Sequence, residues 1–167
     1  MNLDGVHGVI FDLDGTLVES RLDFVKMRAD VGCPPDDDIL GFVEGLTCLT
    51  TQAQARQVIL QHELDDAQTS RWLTNGKAMV EKAQDAGLPM AIVTRNCQQA
   101  TRIKIHNNQI PIDTILTRED APPKPDPTAL LMVAKQWNLH PRHCLYVGDF
   151  IYDRHAAENA GMQWLMV

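Results

Sequence analysis

The stretch VIFDLDGTLVES, from Val9 to Ser20, decides the fold and the chemistry of this chain. It opens with an apolar run that is typical of a buried strand, and that run ends at Asp12. Asp14 follows, and Gly15 then allows the chain to turn sharply. Carboxylates at alternate positions of an extended chain point the same way and repel each other. A strand that ends in this way predicts a functional site at its carboxyl end.

The composition is that of a globular protein. The 167 residues suit one domain with a small insertion, and 44% of them are hydrophobic, so the chain can bury a substantial core. Lys and Arg number 15 against 22 Asp and Glu, and the formal net charge is −7. Binding to a nucleic-acid backbone needs clustered basic residues, and here they are dispersed. We therefore expect no nucleic-acid partner.

We expect no segment of this sequence to direct it to a membrane or out of the cell. We find no charged amino-terminal region followed by a long apolar run, and therefore expect no signal peptide. No stretch approaches the roughly 18 apolar residues that a membrane span needs. The four cysteines are far apart without a CxxC pair, which is typical of reduced structural thiols. These features predict a cytoplasmic protein.

Helical and strand-like segments alternate beyond position 75. After a first strand at 5–11, the strand-like segments are 88–93, 112–116, 144–147 and 162–167. The helical segments are 77–86, 97–106, 127–137 and 153–160. Short, continuously apolar strands separated by helices are typical of a parallel sheet that helices cover on both faces. The sequence therefore predicts an α/β fold with a doubly wound parallel sheet.

An all-helical insertion is predicted directly after the first strand. Residues 22–31 have helical spacing, and the acids at 36–38 favour a helix start. Thr51-x-x-Gln54 matches a capping box, and Asn75-Gly76 indicates a break. We therefore expect a core made of residues 1–17 plus 76–167 and a helical domain made of residues 18–75.

Polar side chains are expected at one edge of this sheet. In doubly wound folds, ligands bind outside the carboxyl ends of the strands. Segments far apart in the chain are expected to bring four acids, a hydroxyl group and a lysine to this edge. The residues expected there are Asp12, Asp14, Thr16, Thr94, Arg95, Asn96, Lys124, Asp149 and Asp153.

This set of residues suits phosphoryl transfer. Carboxylates that lie close together raise one another's pKa values or require a cation, and Mg2+ binds carboxylates together with phosphate oxygens. A carboxylate can act as a nucleophile toward phosphorus, and a second carboxyl can move protons. A metal ion and a lysine would offset the charge of the transferred group. Each residue type therefore has a role in such a reaction.

The ordered motifs resemble those of the haloacid dehalogenase (HAD) superfamily. The first motif, DxDGT, is met by Asp12–Thr16, and the second, a Thr or Ser after a strand, by Thr94. The third, a Lys often followed by Pro, is met by Lys124. The fourth, GDxxxD, is met by the segment that contains Asp149 and Asp153. The resemblance covers essentially the whole chain and is closest to the phosphoglycolate-phosphatase-like branch with a short C1-type helical cap.

The resemblance implies a role for each catalytic residue. Asp12 would be the nucleophile and Asp14 the general acid and base. Thr94 and Lys124 would hold the phosphoryl group. Beside these family roles, we expect Arg95 and Asn96 to contribute backbone N–H groups, with side-chain roles left open. Since the dehalogenases of the family lack the second aspartate, Asp14 points to the phosphatases and phosphomutases.

The resemblance also implies a cofactor and a cap. Mg2+ would be bound by Asp12, the backbone carbonyl of Asp14 and Asp149, with Asp153 coordinating it directly or from further out. The alternative for Asp153 is a structural role, as an acid in the first turn of a helix. The insertion at 18–75 would close over the site and select substrates.

The sequence predicts a Mg2+-dependent phosphatase that hydrolyses a small phosphorylated metabolite through an aspartyl-phosphate at Asp12. The alternatives are a phosphomutase acting on a sugar phosphate and a non-catalytic binding or regulatory module with the same fold. The protein would be a monomer or a homodimer. Arg21 and Arg28 of the insertion either contact the substrate or form surface ion pairs.

Overall fold

The computed structural model describes residues 1–167, which form five strands, seven α-helices and one short 3-10 helix at Pro141–His143. The strands are β1 (Gly8–Phe11), β2 (Met90–Val93), β3 (Thr114–Leu116), β4 (Cys144–Gly148) and β5 (Gln163–Met166). The helices are α1 (Phe24–Val31), α2 (Ile39–Glu44), α3 (Leu49–Thr69), α4 (Thr74–Asp85), α5 (Gln98–Asn108), α6 (Thr128–Gln136) and α7 (Ile151–Ala160). None of these helices combines the length and the apolar character that crossing a membrane requires.

The five strands form one parallel sheet in the order β3-β2-β1-β4-β5, which confirms the predicted fold class. Strand β1 lies at the centre, and its Phe11 is paired with Ile92 of β2 and Val147 of β4. The chain winds outward from β1 to β3 and then returns to the other side of β1. This reversal opens a crevice beyond the carboxyl ends of β1 and β4, where ligands bind in folds of this kind.

Alternate residues of the central strands pack into two separate cores. Val9 and Phe11 belong to a cluster with Met79 and Val80 of α4. Ile10 lies on the opposite face, in a cluster built largely from α6 and α7. Because both faces of β1 are covered, all four of its residues are buried. This explains why the strand is continuously apolar in sequence.

Helices α1 to α3 lie between β1 and α4 in the chain and have a hydrophobic cluster of their own. Its buried members are Met27, Cys33, Ile39, Val43, Ala55 and Ile59. The two connections to the sheet run side by side: the Leu73 N–H donates to the Leu17 carbonyl and the Glu19 N–H to the Arg71 carbonyl, both at 2.8 Å. The domain limits at 17, 18, 75 and 76 stay a prediction.

The capping box predicted at Thr51 and Gln54 is wrong. Helix α3 begins at Leu49, and Cys48 is its N-cap residue. The Gln52 side chain donates to the carbonyls of Val43 and Glu44 at 3.1 and 3.2 Å. These bonds join the first turn of α3 to the end of α2. A long-range tie of this kind leaves no local pattern in the sequence.

The break predicted at Asn75-Gly76 is also wrong, because both residues lie inside α4. A Cβ atom at position 76 would lie 2.6 Å from the Thr16 carbonyl oxygen and 2.8 Å from the Leu17 Cα. The glycine is therefore needed for close contact between α4 and the segment that leaves the site, and not for a turn.

We predict that Gly76→Ala destabilises the protein by about 1–3 kcal/mol, as overpacking does. In a helix without such a contact the same change would stabilise by up to about 1 kcal/mol. Gly45→Ala is the control, because Gly45 has helical backbone angles and its nearest neighbour would lie 3.4 Å from the new Cβ. Urea unfolding of both variants measures the difference, and a Gly76→Ala variant as stable as the parent would contradict the packing argument.

Candidate active site

The sheet brings the seven residues for which the sequence predicts a catalytic, phosphate-binding or metal-binding role to one cavity of about 500 Å3. Asp12 follows β1, Thr94 follows β2 and Asp149 follows β4, so each lies at the carboxyl end of a neighbouring strand. The cavity is lined by Asp12, Asp14, Thr94, Arg95, Lys124, Asp149 and Asp153, together with residues of the insertion.

Lys124 lies at the centre of the buried part of this site. Its Nζ donates to Asp12 Oδ1 and Asp153 Oδ1, both at 2.6 Å, and to the Tyr146 hydroxyl at 2.5 Å. Only 3% of the lysine is exposed. Burial alone would lower the pKa of Lys124, but the two carboxylates outweigh burial and raise it. The lysine therefore remains a cation.

Asp12 lies in a strongly negative environment. Burial raises the pKa of Asp12 to about 8; Lys124 opposes this rise, and Asp153 adds to it. Burial and Asp153 likewise raise the pKa of Asp149. Carboxylate oxygens of Asp12, Asp149 and Asp153 all lie within 4.8 Å of one another. A single ammonium faces three carboxylates, so this corner of the cavity favours a further positive charge.

Asp153 makes more hydrogen bonds within the protein than Asp12 or Asp149 does. Its Oδ2 accepts the backbone N–H groups of Asp149 at 3.1 Å and Phe150 at 3.0 Å, across the first turn of α7. Its Oδ1 accepts from Lys124, and the Tyr146 hydroxyl lies 3.1 Å away. Asp153 thus stabilises the start of α7 and positions Lys124 at the same time. Metal binding by Asp153 stays a prediction.

The turn after Asp14 is shaped around Asp149. Gly15 has a φ of +80°, and a Cβ at this position would collide with the Asp149 carboxylate. The Thr16 hydroxyl donates to Asp149 Oδ1 at 3.4 Å. Only glycine combines this backbone conformation with such a close approach. The DGT part of the first motif therefore makes room for a carboxylate from the far end of the chain.

Asp14 is held on two sides. Asn96 Nδ2 donates to its Oδ2 at 2.7 Å, and Lys104 Nζ forms an ion pair with its Oδ1. Lys104 is fully buried and also pairs with Asp66 of α3 at 2.6 Å. Burial alone would lower the pKa of Lys104, but the two acids raise it. Asp14 is thus fixed by Asn96, which the sequence analysis placed at the same edge, and by Lys104, which it did not.

Thr94 and Arg95 occupy different positions in the site. The Thr94 side chain is buried, and its Oγ1 accepts the Asn96 N–H at 3.1 Å. The Arg95 guanidinium pairs with Asp38 of the insertion and donates to the Lys124 carbonyl at 2.7 Å. It also lies 4.7 Å from the centre of the Tyr152 ring. The phosphate-binding role of Arg95 stays a prediction. Because its guanidinium already has partners, that role would belong to the backbone N–H.

The two arginines of the insertion differ in position. Arg21 is largely exposed, pairs with Glu19 at 3.6 Å and does not line the cavity. Arg28 does line it, but its Nε donates to the Asp37 carbonyl at 3.0 Å.

Sequence reasoning missed Tyr146 and Lys104. Tyr146 lies in the middle of an apolar strand, where an aromatic residue indicates core packing. Burial and the charges of Asp12 and Asp153 raise its pKa well above the usual value, so its hydroxyl keeps its proton. Lys104 does carry a signal: with Cys97, Ala100 and Thr101 it occupies one buried face of α5. A lysine on such a face requires buried acids nearby.

The fold and the acidic edge of the sheet define an α/β protein with an acidic cavity at the topological switch point, where ligands bind in such folds. Residues 34–167 match the family model of haloacid dehalogenase-like hydrolases. The chain belongs to this family, as its motifs indicated.

Individual relatives agree with this assignment. A haloacid dehalogenase-like hydrolase domain-containing protein of Arabidopsis thaliana is 28% identical over 159 residues, which cover 89% of this chain and 64% of that protein. A phosphoglycolate phosphatase of Cereibacter sphaeroides is 30% identical over 184 residues, which cover 95% of this chain and 84% of that protein. A solved haloacid dehalogenase-like family hydrolase from Streptococcus pneumoniae shares the fold, with a TM-score of 0.72 at 20% identity, covering 98% of this chain and 85% of that one.

Proposed function

We propose that this chain is a Mg2+-dependent phosphatase that hydrolyses a small phosphomonoester through an aspartyl-phosphate on Asp12. One observation carries the proposal: a nearly buried carboxylate at the end of the central strand opens on a cavity beside a protonated lysine and a second carboxylate. Relatives that are named phosphatases, among them the phosphoglycolate phosphatase of Cereibacter sphaeroides, support the same class of reaction.

In the first step Asp12 attacks phosphorus. Lys124 holds Asp12 Oδ1, which leaves Oδ2 as the attacking atom. The new bond joins this oxygen to phosphorus while the bond from phosphorus to the ester oxygen breaks. Asp14, in its protonated form, gives its proton to the departing oxygen, so the product leaves as a neutral alcohol.

In the second step water hydrolyses the aspartyl-phosphate. The Asp14 carboxylate removes a proton from the water, whose oxygen bonds to phosphorus. The bond between phosphorus and Asp12 breaks, which releases phosphate and restores the Asp12 carboxylate. Lys124, the Thr94 hydroxyl and the backbone N–H of Arg95 would offset charge on the phosphoryl oxygens.

The donor set fits Mg2+. This ion prefers carboxylate and carbonyl oxygens and keeps some positions for water and phosphate. Asp12 and the exposed Asp149 would supply carboxylates. The backbone carbonyl of Asp14 would be a further donor, as the resemblance to the family implies. Asp153 adds negative charge and positions Lys124. When bound, the ion would neutralise phosphate charge and orient the phosphoryl group for attack by Asp12.

Phosphate release tests this proposal. With Mg2+ present, we expect hydrolysis of 4-nitrophenyl phosphate and of members of a phosphorylated-metabolite panel, and we expect EDTA to abolish it. Asp149→Asn should raise the Mg2+ concentration for half-maximal rate by at least about tenfold, because it removes a charged ligand. Asp85→Asn, which neutralises an exposed acid at the end of α4, is the matched control and should leave that concentration unchanged.

Activity that survives chelation would contradict the metal-dependent mechanism. Isomerised product without free phosphate would favour a phosphomutase. A folded protein that binds Mg2+ but turns over no phosphoester in the panel would favour a binding module.

A further inference from the structure

The insertion contributes mainly apolar side chains to the cavity. These residues are Leu22, Phe24, Met27, Ile39, Leu40 and Ile59. Phe150, in the loop after β4, extends the apolar surface from the sheet side. Phe24 is 49% exposed and Phe150 is 56% exposed, so both lose contact with water when a ligand covers them.

The charged side chains that the insertion places at the cavity already have partners. Asp38 pairs with Arg95, and Glu63 pairs with Arg118, whose Nη2 lies 2.8 Å from Glu63 Oε2. Arg28 is held by the Asp37 carbonyl. Each of the two acids is thereby matched by the positive charge of an arginine. Few polar groups of this wall are therefore left free to bind the hydroxyl groups of a polyhydroxylated substrate.

We propose that the substrate carries an apolar alkyl or aryl group on its ester oxygen, which the insertion and Phe150 cover. The inference rests on the proposed phosphatase function and names the class of its substrate. Apolar walls with a few polar groups at one end are the usual design of small-molecule pockets. Here the polar end binds the phosphoryl group, and the apolar wall selects the rest of the molecule.

Matched substrates test the inference. Hexyl phosphate and glucose 6-phosphate are both primary alkyl phosphates with six carbons, and they differ mainly in hydroxyl groups. We expect kcat/KM for hexyl phosphate to be at least about tenfold higher, a ratio that an apolar pocket can supply. Phosphoglycolate should also be poorer than hexyl phosphate. Equal or better hydrolysis of either polar substrate overturns the inference and leaves the phosphatase function standing. No phosphate release from any substrate overturns the function itself.

Two neighbouring residues of α1 provide the variants. Phe24→Ser removes an aromatic side chain from the cavity and should lower kcat/KM for hexyl phosphate by about fivefold or more, with glucose 6-phosphate nearly unchanged. Val25→Ser is the control, since Val25 is 80% exposed and does not line the cavity. Equal effects of the two changes would contradict a role for this wall in substrate choice.

A second, independent observation concerns Lys104. Its ammonium group pairs with Asp14 in the cavity and with Asp66 Oδ2 in α3, and none of the side chain is exposed. The other oxygen of Asp66 accepts the backbone N–H of Arg21 at 2.6 Å, on the connection that enters the insertion. One buried cation thus joins the proposed proton-transfer residue to the insertion.

We infer that Lys104 is a positioning residue that orients the Asp14 carboxylate and ties it to the insertion. Asn96 fixes one oxygen of Asp14 and Lys104 fixes the other, so the side chain is held at both atoms. The inference rests on the role of Asp14 in the proposed function. A purely structural lysine would support the fold without any selective effect on proton transfer.

The dependence on leaving group separates these two roles. A 4-nitrophenolate ion departs readily without a proton, whereas the alkoxide of benzyl phosphate needs one. We expect Lys104→Met to lower kcat/KM for benzyl phosphate at least about tenfold more than for 4-nitrophenyl phosphate. Equal losses on both substrates would overturn the positioning role. Arg102→Met, an exposed charge on the same helix, should change neither value.

The double variant Lys104→Met, Asp66→Asn keeps the inference testable if the single variant does not fold. It removes the Asp66 charge that the single change would leave buried without a partner. Since one preparation is assayed with both substrates, partial unfolding cancels from their ratio. The same selective loss is expected in the double variant, and its absence there would also contradict the inference.

Discussion

The ammonium group of Lys124 holds the site together. It binds Asp12 from the end of β1 and Asp153 from the first turn of α7, and the Tyr146 hydroxyl of β4 completes its surroundings. Three segments of the chain must therefore be in place before this lysine has its partners. Loss of the cation would leave two nearly buried carboxylates facing each other, which is a strongly unfavourable arrangement. The fold and the site thus depend on the same contact.

Three ion pairs join the insertion to the sheet domain, and in each of them the insertion provides the acid and the sheet domain the base. Asp38, Glu63 and Asp66 come from the insertion, and they pair with Arg95, Arg118 and Lys104, which all lie in the part of the chain that follows it. Arg95 and Lys104 also contact residues of the site itself, the Lys124 carbonyl and the Asp14 carboxylate. The contacts that position the insertion are thus continuous with those that position Lys124 and Asp14.

Much of this arrangement could be predicted from sequence because it follows from short patterns. The strand before Asp12, the turn at Gly15 and the strand before Asp149 are each local, and parallel pairing brings their ends to one edge. The features that escaped are long-range. The start of α3 depends on Gln52 and the carbonyls at the end of α2, and Gly76 is set by contact with Thr16 and Leu17. The role of Lys104 depends on its ion pairs with Asp14 and Asp66, which lie far away in the chain.

The central claim is that Asp12 carries the phosphoryl group during turnover. Rapid acid quench of the enzyme with a 32P-labelled phosphomonoester and Mg2+, followed by proteolysis and mass spectrometry, tests it most directly. The account predicts a transient label on the peptide that contains Asp12, lost on treatment with hydroxylamine and absent from an Asp12→Asn variant. Full catalytic release of phosphate with no label on Asp12 at any quench time, or a label on another residue, would contradict it.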